Sequence, residues 1–411
     1  MKRLALFLLL LYLCSAHLAA QDDVPVWDHV HVDSTRNVWH VSADCNDEGL
    51  WAVVWSERTR VGATVHAAFL ERGQRKDIRC VQVTAAMAGI EDARPSVTFL
   101  TDSTVLVAWQ RREALSRRIY AAVVQRDGVV GGTFPVQQVQ ADGMMPATGR
   151  CLRDGLLVAW QDYRNGNADV YARRVAADGT ATGPDILIND DAASAMQGAP
   201  RIARDNRNGH LLVWPDNRAD RKWKFYYHRI GATGSGNVLI DSAQRKAMTT
   251  IVSAVCVSED TAHIFWKDYR EGDSNIYRRI VDLGSGTFSP AERINDDVGD
   301  RWQRLVVAAG DRKGNTVACW EDHRNTENNQ RGDIYLQVFD RDGMSRGRNI
   351  KVNDRNDRIA RKMPVIAMDG GGWYLLLWHQ GEQGTFTIAG QWFRYPAHRV
   401  SDNFLLTGTT K

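Results

Sequence analysis

Along this chain, short apolar runs end in tryptophan and pass into a polar turn, and the pattern recurs. LLVAW, ending at Trp160, runs into QDYRNGNADVY; LLVW at Trp214 into PDNRADRKWKFYY; HIFW at Trp266 into KDYREGDSNIY; and ACW at Trp320 into EDHRNTENNQRGDIY. Degenerate copies start at Trp55 (WSERTR), Trp109 (WQRREALSRRIY) and Trp378 (WHQGEQGTFTI). The seven tryptophans are separated by 54, 51, 54, 52, 54 and 58 residues. A period this regular is the signature of a repeat architecture, so any single copy is a structural unit before it is a site.

Each unit reads as four strands. In the third copy GRCLRDG is a short strand ending in a turn, LLVAW an apolar strand, DYRNGN a polar turn and DVYARRV an alternating strand. ADG then makes a tight turn and PDILIN a last strand. Short runs of Val, Ile, Leu and aromatics between Gly, Asp and Asn turns are strand signals. Asp127-Gly128, Asp178-Gly179 and Asp342-Gly343 mark hairpins, because both turn positions tolerate positive φ. In each pair the glycine lies eight residues after a tyrosine, Tyr120, Tyr171 or Tyr335.

Four antiparallel strands repeated seven times predict an all-β fold, a seven-bladed β-propeller over residues 21–411. Radial closure lets many short strands avoid exposed edges. The seventh unit has no clear fourth strand. VPVWDHVHVD, residues 24–33, is expected to supply it and to close the ring from the N-terminal side; the tail VSDNFLLTG is the alternative. With alternating strand directions, the turn after each tryptophan opens on the same rim as the connection between units. Polar repeat chemistry therefore gathers on one face.

Residues 1–20 have the form of a secretory signal, with Lys2 and Arg3, an apolar Leu4–Leu13 stretch and Ala19-Ala20. A secreted or periplasmic protein without a membrane span follows, since that stretch is far shorter than the ~20 residues a helix needs. Leu13 fits poorly before a lipidated Cys14, so simple export ranks ahead of a lipid anchor. Without residues 1–20, 50 basic residues face 49 acidic ones, a balance that gives no support to nucleic-acid binding. Cys45, Cys80, Cys151, Cys256 and Cys319 remain, an odd number scattered singly. They form neither a disulfide framework nor a metal cluster, although one disulfide stays open.

The repeated pairs Asp162/Arg164, Asp216/Arg218, Asp268/Arg270 and Asp322/Arg324 are read as scaffold, with Asp bonding turn amides and Arg clamping a carboxylate. Asn189-Asp190-Asp191, Asn295-Asp296-Asp297 and Asn353-Asp354 are read as Asx turn caps ahead of calcium ligands. No G-x-S-x-G, H-E-x-x-H or phosphate-binding glycine loop occurs, and no cofactor is expected.

The W-x-D-x-R-x-G-x-x-D-I-Y pattern, best in residues 160–179, 266–277 and 320–343, resembles the propeller repeats of many secreted bacterial proteins and is similar to the TolB-type repeat. That resemblance implies the fold and a binding or scaffold role, and says little about activity.

Units seven, one and two lack the Asp/Arg pair. Gln380/Glu382, Glu57/Thr59 and Arg111/Glu113 stand in its place, flanked by His379, Arg58, Arg60 and Arg112. Where a scaffold motif is dropped, side chains are released for other work, so the binding site is expected on this part of the rim. Unit six is the rival location, because its turn is lengthened around Thr326–Arg331. A monomeric, non-catalytic binding or scaffold propeller with a protein or carbohydrate ligand is the leading reading. A carbohydrate-active enzyme using rim carboxylates is the alternative.

Overall fold

The computed structural model describes residues 37–151, 155–191, 195–204, 210–218, 222–231, 236–241, 252–299, 301–326, 331–354, 359–382 and 385–406. The expected leader (1–20), the expected closing strand (24–33) and part of the lengthened turn of unit six (327–330) lie outside them. Among the described residues the regular structure is β-strand throughout, with no helix.

Unit three shows the plan. Gly143–Cys151, Gly155–Asp162, Asp169–Val175 and Ala181–Leu187 pair antiparallel in that order. The second strand is buried along nearly its whole length, which explains its unbroken apolar reading: both faces are covered by neighbouring units. The Asp-Gly hairpins form, but with positive φ at the glycine alone and not at the aspartate. Gly128, Gly179 and Gly343 take φ of 93°, 88° and 78°. Each donates its N–H to the carbonyl three residues back at 2.9 Å.

Units one and two share one sheet through a parallel bridge, Ala63↔Glu91, and units three to seven each form their own. The first strands are Asn37–Cys45, Ile90–Phe99, Gly143–Cys151, Arg201–Arg204, Val252–Cys256, Gln303–Gly310 and Ala360–Met368. Each packs against the next, and Ala360–Met368 packs against Asn37–Cys45. The seven second-strand tryptophans are buried at equivalent register, opposite His66, Tyr120, Tyr171, Tyr226, Tyr277, Tyr335 and Ala389 of the third strands.

The first and last units share a core in which Trp51 and Trp392 meet edge to face at 4.7 Å. Trp51 Nε1 donates to the Ala367 carbonyl at 3.2 Å, and Trp392 Nε1 to the Gln74 carbonyl at 2.8 Å. The fourth-strand place of unit seven, expected first for residues 24–33, is taken by the tail. Phe404–Leu405 pairs with Thr385–Arg394 at Ala389↔Leu405, the register at which Tyr171 meets Leu187 and Tyr335 meets Lys351. The apolar pair Phe404 and Leu406 explains this choice, since both reach the shared core.

The asparagines of the connections, expected as Asx turn caps, bond instead to a strand 19 residues earlier. Asn189, Asn295 and Asn353 accept the N–H of Val170, Ile276 and Ile334 at 2.8–2.9 Å, and thereby tie each connection to its own third strand. Cys45, Cys256 and Cys319 are buried, and Cys80 is exposed.

Candidate functional site on the polar rim

In unit three, Trp160 Nε1 donates to Asp162 at 2.7 Å and Arg164 grips both carboxylate oxygens at 2.8–2.9 Å. The guanidinium lies 4.0 Å over the Tyr171 ring. Units four, five and six repeat the cluster with Trp214–Asp216–Arg218–Tyr226, Trp266–Asp268–Arg270–Tyr277 and Trp320–Asp322–Arg324–Tyr335. Burial alone would raise the Asp162 carboxyl. Hydrogen bonds from Arg164 and Trp160 outweigh it and hold the group below the usual carboxylate range. Burial likewise works against the Arg164 cation, and bonds to Asp162 and Asp185 raise it instead.

The arginines also join units. Arg218 of unit four reaches Asp190 of unit three, and Arg324 of unit six bonds Asp296 of unit five at 2.7 Å. Across the same seam Asp296 N donates to Asn349 at 2.7 Å and Asn349 N to Asp296 at 3.0 Å. These aspartates are structural, and their charge is matched on the spot.

The degenerate units differ from one another in a way their sequences do not display. Unit two rebuilds the cluster from another strand. Asp92, fully buried on the first strand, accepts Trp109 Nε1 at 2.9 Å and both Arg111 nitrogens at 2.7 and 2.8 Å. Arg111 then lies 4.7 Å over Tyr120. Arg111 therefore belongs to the scaffold, together with Asp92, which no fixed offset from the tryptophan could reveal.

In unit seven the cluster is reduced to one bond, Trp378 Nε1 to Gln380 Oε1 at 3.3 Å. Unit one lacks it. Trp55 Nε1 is buried without a hydrogen-bond partner among the described residues, and His66 stacks on the Trp55 ring at 5.8 Å where units two to six have tyrosine. The Glu57 carboxylate lies 3.8 Å from His66 Nε2.

The other expected site residues fall around these two units. Arg58 and Arg112 both face Glu91, at 3.5 and 3.4 Å, and bridge units one and two. Arg58 also lies 5.4 Å over Trp39. Arg60, Glu113 and Glu382 are exposed and Gln380 is half-buried. His379 is buried, and desolvation lowers its imidazole to about 4. Elsewhere, a cavity of about 430 Å³ opens between units five and six, lined by Arg293, Asp296, Val298, Gln337, Arg348 and Asn349. It adjoins the unit named as the rival location.

No protein-family model matches the chain, and no curated protein does. Among solved structures it is similar to the lectin BP39L of Burkholderia pseudomallei, at 12% identity and a TM-score of 0.60 over 89% of this chain and 98% of the lectin. It is similar to a protein of unknown function from Dyadobacter fermentans, at 12% identity and 0.51 over 88% and 96%. A third likeness is to the β-propeller domain of the Trilobed protease of Pyrococcus furiosus, at 10% identity and 0.49 over 92% and 98%. The chain has a β-propeller-type fold. Its antiparallel units and the mutual packing of their first strands are those of that architecture, and the likeness to the lectin extends over nearly the whole of both chains.

Proposed function

We propose that this chain is an exported, non-catalytic binding propeller of seven units. The packing of unit one on unit seven closes its ring, and its ligand lies on the polar rim over units seven and one and the adjoining edge of unit two. The observation that carries this reading is the failure of the Trp–Asp–Arg–Tyr cluster in units one and seven after it has formed in units two to six. Around that gap stand Glu57, Arg58, Arg60, Arg112, Glu113, Gln380 and Glu382, with the Trp39 ring beside Arg58. An aromatic face next to charged groups suits a saccharide, and the lectin of like fold makes saccharides the first ligands to screen. Non-catalytic binding is favoured because Asp162, Asp216, Asp268 and Asp322 are buried and bonded to Trp and Arg. Carboxylates so held are poorly placed to act as acid and base, which leaves Glu57, Glu113 and Glu382 as the carboxylates of the enzyme alternative.

The test is to screen purified protein spanning residues 21–411 against a glycan and polysaccharide panel, scoring binding and product release together. Binding without product is expected. Product release would favour the glycoside-hydrolase alternative, in which two carboxyls stand about 5–10 Å apart. Failure to bind any saccharide would remove the saccharide reading.

A further inference from the structure

The seam between units five and six and the seam between units three and four carry the same bonds. Asp296 N donates to Asn349 and Asp190 N to Asn237, and each asparagine N–H returns to its aspartate. The asparagine amides donate to the carbonyls of Ile294 and Ile188, both at 3.0 Å. Arg324 and Arg218 hold the two aspartates in the same way. Repetition makes this frame part of the fold, as it does for the Asp/Arg pairs. What differs is the pair of residues beside it. Opposite the third-strand tyrosine, unit five places Arg293 where unit three has Leu187. Immediately before the asparagine, unit six places Arg348 where unit four has Gly236.

Both arginines line the cavity of about 430 Å³ between units five and six, one from each side of the seam, together with Ser345 and Val298. That volume falls within the range of small-molecule sites. Arg293 is anchored, with Nη1 donating to Glu271 at 3.2 Å and Nη2 to the Asp297 carbonyl at 2.8 Å. Its Nε is buried without a hydrogen-bond partner among the described residues. Arg348 is exposed, and among the described residues it makes no hydrogen bond or ion pair. The carboxylate on the cavity wall, Asp296, is already engaged by Arg324 at 2.7 Å and by the Asn349 N–H at 3.0 Å. Val298 is fully exposed and offers the cavity an apolar surface.

We propose that this cavity binds the oxyanion of a small acidic sugar, a carboxylate or a sulfate ester. Arg348 is the principal contact, because its planar fork matches such an oxyanion and is not committed to a neighbour. Arg293 adds a second cation from a fixed position, and Val298 meets the apolar face of the sugar ring. The site goes beyond the rim reading. It lies on other units and stands whether or not the rim over units seven and one takes a saccharide.

The test measures binding of glucuronate, glucose 6-sulfate and neutral glucose by ligand-detected NMR titration. The proteins are the wild type, Arg348→Gly and Arg293→Leu. These substitutions copy the residues of the seam between units three and four, so the shared frame tolerates them, and thermal melting checks each fold. The carboxylated and sulfated probes show which oxyanion is preferred. Expected is saturable binding of at least one acidic probe that weakens about tenfold or more in Arg348→Gly. A smaller loss is expected in Arg293→Leu, and glucose should bind more weakly than either acid to the wild type. Acidic binding that survives Arg348→Gly, equal binding of glucose, or no saturable binding of either acid overturns the site. None of these outcomes touches the rim reading, which stands or falls on the glycan panel.

Discussion

Arg111 grips Asp92 through two bonds of 2.7 and 2.8 Å across 19 residues of sequence, and unit two thereby makes the contact that units three to six make between residues two apart. The same four groups, indole, carboxylate, guanidinium and phenol ring, meet at the same place. Only the strand that donates the carboxylate has changed. A buried indole N–H needs an acceptor, and either strand beside the tryptophan can provide one.

Asp92→Ala is therefore expected to destabilise the protein at least as strongly as Asp268→Ala. Each leaves a buried Trp N–H without its acceptor, but Arg111 also loses its bonded carboxylate whereas Arg270 keeps Asp241 at 2.8 Å. The cost is roughly 3 kcal/mol for Asp92→Ala and roughly 1–3 kcal/mol for Asp268→Ala. Urea unfolding reads the loss, and saccharide binding should survive it. A fully stable Asp268→Ala protein that no longer binds would make the pair a ligand contact.

Unit one offers the reverse experiment. Glu57→Asp with Thr59→Arg installs the missing pair beside Trp55. Satisfying the indole should add about 1 kcal/mol of stability. It should also abolish rim binding, because the released side chains become scaffold again. Greater stability with intact binding would move the site elsewhere on the rim.

His379 gives stability a pH dependence. Its imidazole is lowered from 6.5 to about 4, so between those values the unfolded chain holds more protons than the folded one. Stability is complete above pH 6.5 and falls as the pH drops toward 4. At about 1.4 kcal/mol per unit the full loss is roughly 3 kcal/mol. Denaturant curves at pH 7 and pH 4.5 should show much of it in the wild type and less in His379→Gln. Equal slopes in the two proteins would mean that His379 is solvated.

The tail is expected to be structural. Removing residues 401–411 deletes Phe404, Leu405 and Leu406 and opens the core shared by the first and last units. A cost of roughly 2–5 kcal/mol follows from losing such a buried cluster, and calorimetric melting would detect it. An unchanged melting temperature would show that the tail only decorates unit seven.

By itself the sequence determined the repeat. Every second strand lies between two neighbouring units, so each copy keeps LLVAW-like apolar runs and a tryptophan. The Asp-Gly turns are legible for the same local reason, since positive φ restricts the residue wherever the hairpin occurs. The Asp/Arg pairs could be read as scaffold because partners two residues apart meet within one turn. Tertiary structure alone decided the rest. Asp92 reaches Arg111 only through the register of two strands, and Phe404–Leu405 takes the fourth-strand place through packing on a distant unit. Such contacts leave no fixed spacing in the sequence, because they are set by which strands become neighbours and not by how many residues separate them.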